Sequence, residues 1–395
     1  MKRTTRTSAT TFAFFLAAVS LGCSGDWVYR ARLPEPNDTS NFAQSIALDG
    51  KVALVGSFGS ADLFIEPRPN SPLPQHLWIK GQHFVPRRGS LGLFGQAVAL
   101  SGDLLAIGAP YGDPAFVNNG YVDIFEHANN AFSFSQRLTP SGFEVPPSPY
   151  PEIMFGNALT FDADELFVGA HHYWDTAGVV FVFERNEGTF QQTQILKPAA
   201  NVKESAFGEV IRVSGDTLAI SRRGPGGAAG DPLFAGEVHL FVKVGGSWQL
   251  EQVLTSPTSH LEDFFGSGID LDGDRLVVRE DTHVHLFTRA GGVWSHAWQR
   301  AIPDGARKPV ALRPSSNPAS SYLFAAADGV VHVHTENAES PGFVFEGLLA
   351  DPDGLVGFGT NLAISGNRLL ASSPGGETPE VRVFRRPTLR RILPF

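Results

Sequence analysis

Phe94-Gly95-Gln96-Ala97-Val98-Ala99-Leu100-Ser101-Gly102-Asp103-Leu104-Leu105-Ala106-Ile107-Gly108-Ala109-Pro110 decides the fold. Apolar and small residues run on both sides of Ser101-Gly102-Asp103, a tight-turn signal. The stretch reads as two antiparallel strands, opened by Phe-Gly and closed by glycine. The pattern returns along the chain. Its openings are Phe42-Ala43, Phe94-Gly95, Phe155-Gly156, Phe207-Gly208, Phe265-Gly266 and Phe358-Gly359. In each copy fourteen residues separate the Phe from the end of the second strand, at Gly56, Gly108, Gly169, Ser221, Arg279 and Ser372. The openings lie 52, 61, 52 and 58 residues apart, then 93. A gap of 93 holds two repeats. A worn copy lies inside it, Val310-Ala311-Leu312 followed by Tyr322 to Ala327.

A third strand follows in every copy: Ala61–Phe64, Val122–Phe125, Val180–Phe183, Val238–Phe241, Val284–Phe287, Val331–His334 and Val381–Phe384. A fourth begins with an aromatic residue and usually has Leu six residues on, as in Trp27/Leu33, Phe132/Leu138, Phe190/Leu196, Trp248/Leu254 and Phe343/Leu349. Trp78/Phe84 and Trp294/Arg300 are weaker members. A four-stranded unit of about 50 residues is marginal by itself. Units arranged radially bury both faces on their neighbours and leave short edges. The expected fold is therefore all-β, a seven-bladed β-propeller of four-stranded antiparallel blades. The strand Trp27–Leu33 precedes the first full repeat, and the last repeat lacks a fourth strand. The N-terminal strand is thus expected to complete the last blade and close the ring.

On these residues the chain resembles the FG-GAP repeat proteins, the propeller family that includes the integrin α-subunit head. Phe94-Gly95 with Gly108-Ala109-Pro110 holds both named halves, and Gly169-Ala170-His171 departs from the second. The resemblance spans residues 27–386 and implies the fold. It says little about chemistry, because propellers host enzymes and binding modules alike. In the family, some first hairpins carry a calcium loop. The best candidate here is Asp270-Leu271-Asp272-Gly273-Asp274. It is shorter than the family motif, and no acid follows until Glu280. A hard cation wants six to eight oxygens, so no calcium and no other cofactor is expected.

Composition narrows the function. Acidic residues (40) exceed basic ones (31), which argues against nucleic acid as a partner. A single cysteine excludes an internal disulfide and a Cys-based zinc site. His283/His285 and His332/His334 lie at i, i+2, one face of a strand. His239, His285 and His332 share a repeat column with Asp62, Asp123, Phe181 and Arg382. Equivalent positions in different blades lie too far apart for one metal ion, so a semi-polar layer, between blades or in the central channel, is expected and no metal site. No Gly-x-Ser-x-Gly elbow and no phosphate-cradling loop occurs.

The N-terminus gives an address. Lys2, Arg3 and Arg6 precede the apolar run Phe12 to Leu21, which has signal-peptide pattern and is too short to span a bilayer. Ser20-Leu21-Gly22-Cys23-Ser24 resembles a bacterial lipobox, with Ser20 and Leu21 exchanged. That resemblance implies lipidation of Cys23. The alternative is an ordinary secretory signal. The expected organisation is residues 1–22 as signal peptide, 23–26 as tether, 27–387 as propeller and 388–395 as a basic tail. The protein is expected to be exported, either lipid-anchored in the bacterial cell envelope or secreted, and to meet the membrane through an N-terminal lipid alone.

Loops after second strands, and before first strands, share one face of a propeller. Those after the second strands of blades two, three and four are long. They hold Tyr111, His171, His172, Trp174, Arg222 and Arg223, and consecutive blades would set these in one arc. Aromatic and Arg side chains suit recognition. The leading expectation is a non-enzymatic binding or adhesion module for an extracytoplasmic protein or polysaccharide. The alternative is an extracellular hydrolase or lyase acting on a polymer, with His171 or His172 as acid/base beside Asp175.

Overall fold

The computed structural model describes residues 27–33, 42–68, 71, 77–87, 92–112, 119–142, 153–171, 178–199, 205–222, 236–258, 264–302, 308–313, 321–327, 329–336, 342–354, 357–374 and 379–386. Every regular element among them is a β-strand. The chain opens with β1 (Val28–Arg32). Blade 1 is β2 (Ser45–Asp49), β3 (Val52–Ser57), β4 (Ser60–Ile65) and β5 (Ile79–Phe84). Blade 2 is β6 (Ala97–Ser101), β7 (Leu104–Ala109), β8 (Tyr121–Ala128) and β9 (Ala131–Leu138). Blade 3 is β10 (Ala158–Asp162), β11 (Glu165–Ala170), β12 (Val179–Asn186) and β13 (Thr189–Leu196). Blade 4 is β14 (Phe207–Ser214), β15 (Thr217–Arg222), β16 (Glu237–Val244) and β17 (Ser247–Leu254). Blade 5 is β18 (Gly268–Asp272), β19 (Arg275–Arg279), β20 (His283–Ala290) and β21 (Val293–Ala301). Blade 6, the worn copy, is β22 (Val310–Arg313), β23 (Tyr322–Ala327), β24 (Val330–Glu336) and β25 (Phe343–Ala350). Blade 7 is β26 (Leu362–Ser365), β27 (Arg368–Ser373) and β28 (Glu380–Arg385), with β1 as its outer strand.

The closure is antiparallel, with Tyr29 opposite Phe384 and Arg32 opposite Arg382. Beyond the strand, the Leu33 N–H donates to the Val381 carbonyl at 3.0 Å. Trp27 is fully buried, edge-on to Phe324 at 5.0 Å and to Tyr322 at 5.7 Å. The closing segment thus binds its own blade through backbone and blade 6 through one indole. The segments expected at 1–22, 23–26 and 388–395, including Cys23, lie outside the described residues.

The core lies between blades. Each hydrophobic cluster joins side chains of two neighbouring sheets, such as Leu54 and Leu63 of blade 1 with Phe94 and Leu105 of blade 2. The opening phenylalanines Phe42, Phe94, Phe155, Phe207, Phe265 and Phe358 are all fully buried. The glycine after them solves a backbone problem. Gly95, Gly156, Gly208 and Gly266 have φ of 90–91°, where a Cβ is strained. The Gly95 and Gly156 N–H groups donate to the Gly108 and Gly169 carbonyls of their own second strands, at 2.9 and 3.1 Å. Their carbonyls press on the preceding blade: a Cβ on Gly56 would stand 2.0 Å from Gly95 O, and one on Gly108 2.0 Å from Gly156 O. The two glycines that mark the repeat therefore meet across the interface.

Two further devices join blades. Near the rim, the Gln82 amide donates to the Phe132 carbonyl and accepts from its N–H, at 2.8 and 2.6 Å. Gln136 clasps Phe190, Gln194 clasps Trp248 and Gln252 clasps Trp294 in the same way. The clasp thus crosses the interfaces from blade 1 to blade 5. Blade 5 has Trp298 at this position, edge-on to Phe343 at 5.6 Å. At the turn end, the Asp49 carboxylate accepts from Gly102 N–H, the Ser214 hydroxyl from Gly273 N–H and the Ser365 hydroxyl from Gly50 N–H. Each of these three turns holds the next.

A half-buried clasp contributes about 1–2 kcal/mol. Gln194→Leu should lower the urea midpoint accordingly without changing the slope. Gln191→Leu, exposed on the same strand, should shift stability by less than about 0.5 kcal/mol.

Candidate functional site

Second strands end, and first strands begin, at the same end of the ring. Three arc residues lie there among the described residues. Tyr111 follows β7; its N–H donates to the Gly92 carbonyl at 3.0 Å and its hydroxyl lies 3.8 Å from the Met154 sulfur. His171 follows β11 and is half-buried. Arg222 is the last residue of β15, and here the sequence reading needs correction. Arg222 is 5% exposed, not a loop cation. The register sets it opposite Glu237, and its Nη1 donates to that carboxylate at 2.6 Å. Glu237 also contacts His239 Nε2 at 2.9 Å. Burial pushes the Glu237 carboxyl up, but the His239 hydrogen bond and the Arg222 charge outweigh it and hold it below its usual value. The sequence pattern could not reveal this, because Arg222 falls where blades 1, 2, 3, 6 and 7 have Ser or Ala, and blade 5 has Glu280. His172, Trp174 and Arg223 lie outside the described residues.

The innermost strands β2, β6, β10, β14, β18, β22 and β26 neighbour one another in turn, and β26 returns to β2. They enclose a channel with two adjoining cavities of about 280 and 370 Å³. Gln44, Gln96, Asn157 and Glu209 line the upper one, and Gln96 Nε2 donates to Asn157 Oδ1 at 2.8 Å. Arg212 borders both cavities, with Nε 3.3 Å from Asp270 Oδ1. Asp270 Oδ2 accepts from the Leu312 N–H at 2.6 Å. This pair ties blades 4, 5 and 6 together. Equivalent positions on the other inner strands are Ala47, Ala99, Thr160, Ala311 and Ala363. Burial pushes the Asp270 carboxyl up despite Arg212 and its backbone donors. In the hairpin considered for calcium, Asp270 turns to Arg212, and Asp272 lies 3.8 Å from Arg275. Among the described residues no group of three or more His, Cys, Asp or Glu is arranged to hold a metal ion.

The repeat column of the third strand is semi-polar: Asp62, Asp123, His239, His285 and Arg382 are buried, His332 is half-buried, and Phe181 belongs to the apolar core. Asp62 pairs with Lys80 and His83, both at 2.8 Å. Asp123 takes Arg137 bidentately at 2.6 and 2.9 Å. Arg382 binds Asp351 and Asp353 at 2.8 and 2.6 Å. His285 joins a network that sequence reading missed. Its Nε2 lies 3.2 Å from Glu280 Oε1, and its Nδ1 lies 3.2 Å from His296 Nε2. Ser256 and Thr258 hydroxyls donate to Glu280 at 2.6 and 2.9 Å. Burial raises the Glu280 carboxyl, but these donors together hold it below its usual value.

His334 tells a different story. It occupies the column of Phe64, Phe125, Phe183, Phe241, Phe287 and Phe384. It is fully buried, and neither ring nitrogen has a hydrogen-bond partner among the described residues. Its ring lies 6.2 Å from His332 and 5.5 Å from Phe345. Burial, then His332 and Arg300, push its pKa down to about 3. A lowered imidazole favours folding above the unfolded-state pKa, and that stability is lost as pH falls through the folded-state value. Stability should therefore decline as pH falls from about 6.5 towards 3. His334→Phe should flatten that decline, read as denaturant midpoints at pH 7 and pH 4.5. An unchanged difference between the two would contradict this account of His334.

The FG-GAP repeat family matches residues 91–125. That segment holds β6, β7 and the first part of β8, the copy with both named halves intact. Among solved structures, the WD40 β-propeller domain of Doa1 aligns with a TM-score of 0.54 at 10% identity, covering 92% of this chain and 98% of that one. At that identity the likeness concerns the fold. No curated protein sequence matches the chain.

Proposed function

We propose that the protein is a non-enzymatic binding or adhesion module of the cell envelope. It recognises a protein or polysaccharide with the end of the propeller where the Phe-Gly turns and second-strand ends lie. The carrying observation is the contrast between the two ends. At the hairpin-turn end, Asp49, Ser214 and Ser365 are spent on the N–H groups of neighbouring turns. At the other end, blades 2, 3 and 4 stand side by side. They lead from β7, β11 and β15 into the segments with Tyr111, His171, His172, Trp174 and Arg223. Arg222 serves this end as an internal brace.

The described acid–imidazole network does not have the connectivity of a nucleophile and base. In it Ser256 donates to the Glu280 carboxylate. Asp270 is committed to Arg212 and Leu312, so binding needs no calcium in this reading. Export through the N-terminal signal, with a lipid on Cys23 or as a free protein, brings the module to its partner.

The test uses the protein as bait in envelope extract, followed by affinity measurement with the recovered partner. Trp174→Ala should weaken binding at least tenfold, about 1.4 kcal/mol. Asp103→Ala, at the opposite end, should leave it unchanged. Chelator should have no effect. Equal losses from both ends would remove this end as the site. Turnover of a polymer abolished by His171→Ala would establish the enzyme instead.

A further inference from the structure

The outer rim of the propeller is chemically uneven. On the outer strand of blade 6, Val344 is 53% exposed, Phe345 39% and Leu348 41%. The next two outer strands around the ring add Tyr29 and Ile79, 37% and 40% exposed. On β9 and β13, the outer strands of blades 2 and 3, no large apolar residue is exposed. Those strands present Ser133, Ser135, Gln191 and Thr193 instead. Leu250 on blade 4 and Val293 on blade 5 stand singly on their outer strands, 43% and 59% exposed, whereas β25 alone exposes three, and that grouping asks for a cause.

Both chain ends emerge in this sector. β1 is the outer strand of blade 7, between blades 6 and 1. Ser24, Gly25 and Asp26 separate Trp27, which precedes it, from Cys23, and the apolar run Phe12 to Leu21 lies just before. Three residues reach about 10 Å. β28 also belongs to blade 7, and the sequence continues past it as Arg386-Pro387-Thr388-Leu389-Arg390-Arg391-Ile392-Leu393. Several carboxylates of this sector are held by arginines. Glu66 is taken by Arg368 and Arg385, and Glu380 by Arg32 and Arg382. Among the described residues, exposed Arg30 on β1 and Arg300 on β21, the outer strand of blade 5 beside blade 6, form no ion pair with a carboxylate.

We infer that the rim of blades 6, 7 and 1 is a docking edge for an anionic lipid surface, so that the propeller stands edge-on to the membrane. Apolar side chains enter the headgroup boundary while Arg30 and, from the flanking blade 5, Arg300 meet lipid phosphates. Headgroups and interfacial water satisfy the open edges of β25 and β1, which hydrocarbon could not. A second copy fits less well. A two-fold contact sets the patch against itself and brings the unpaired arginines together. The inference rests on where the N-terminus leaves the ring, and not on the modification Cys23 carries. In this pose the Phe-Gly end stays clear of the bilayer.

Cys23 is the one cysteine of the chain, so its thiol can be coupled to a maleimide lipid. A chain starting at Cys23 keeps every described residue. It would be tethered to vesicles of phosphatidylcholine and phosphatidylglycerol, and amide hydrogen exchange compared with the free protein. The exposed-edge amides of β25 and β1 should exchange about tenfold more slowly, and those of β9 and β13 at unchanged rates. Phosphatidylcholine alone should protect less. Val344→Glu with Leu348→Glu should abolish the protection, and Leu250→Glu on blade 4 should not. Uniform protection, or none, would overturn the inference whether or not the variants fold. Protection of the same strands without vesicles, rising with protein concentration, would assign the edge to a second copy and also overturn it.

Discussion

The antiparallel pairing of β1 with β28 carries the rest of the structure. It joins residues more than 340 positions apart, Tyr29 with Phe384 and Arg32 with Arg382. Without it blade 7 has three strands and an open edge. The indole of Trp27 would leave Tyr322 and Phe324, and the contact between blades 6 and 7 would lose its largest side chain. Each blade uses both faces on its neighbours, so a breach at one interface is felt by the next. The channel, the row of second-strand ends and the rim all presuppose a closed ring.

Much of this was legible because the repeat is tied to backbone geometry. The fourteen-residue interval from Phe94 to Gly108 reflects one hydrogen bond, from Gly95 N–H to Gly108 O. Glycine recurs at both places because the carbonyl of one blade's Phe-Gly turn leans on the second-strand glycine of the blade before. Blade 1 departs from this with Ala43 at φ 67°. The missing fourth strand of blade 7 and the orphan strand at the N-terminus were visible as a counting problem. What the sequence did not disclose depends on contacts between copies. Gln82, Gln136, Gln194 and Gln252 look like ordinary surface residues until the next blade is set beside them. Arg212 and Asp270 could have been suspected, as two charges in a column of Ala and Thr. Arg222 misled because a charged residue at a strand end reads as exposed, whereas its register partner Glu237 draws it inward.

The ring has two kinds of interface. From blade 1 to blade 5 the outer strands are clasped by glutamine amides, and the rim of blades 2 and 3 is polar. From blade 5 around to blade 1 the joints are aromatic and ionic: Trp298 on Phe343, Trp27 on Phe324, and Arg368 with Arg385 on Glu66. The same arc holds His334 in place of phenylalanine, and the apolar rim. This division suits a module held at one side and free to bind at its end. The side that carries the chain ends is the irregular one.

The central claim is that the seven blades form one cooperative body because the N-terminal strand completes the last of them. Strand complementation tests it most directly. A chain beginning at Pro34 would be unfolded by denaturant with and without a synthetic peptide spanning Trp27–Leu33. The account predicts that the truncated chain loses its single cooperative transition. It also predicts that the peptide restores that transition, with a midpoint that rises with peptide concentration. A truncated chain that unfolds at the midpoint of the intact protein, indifferent to the peptide, would contradict it.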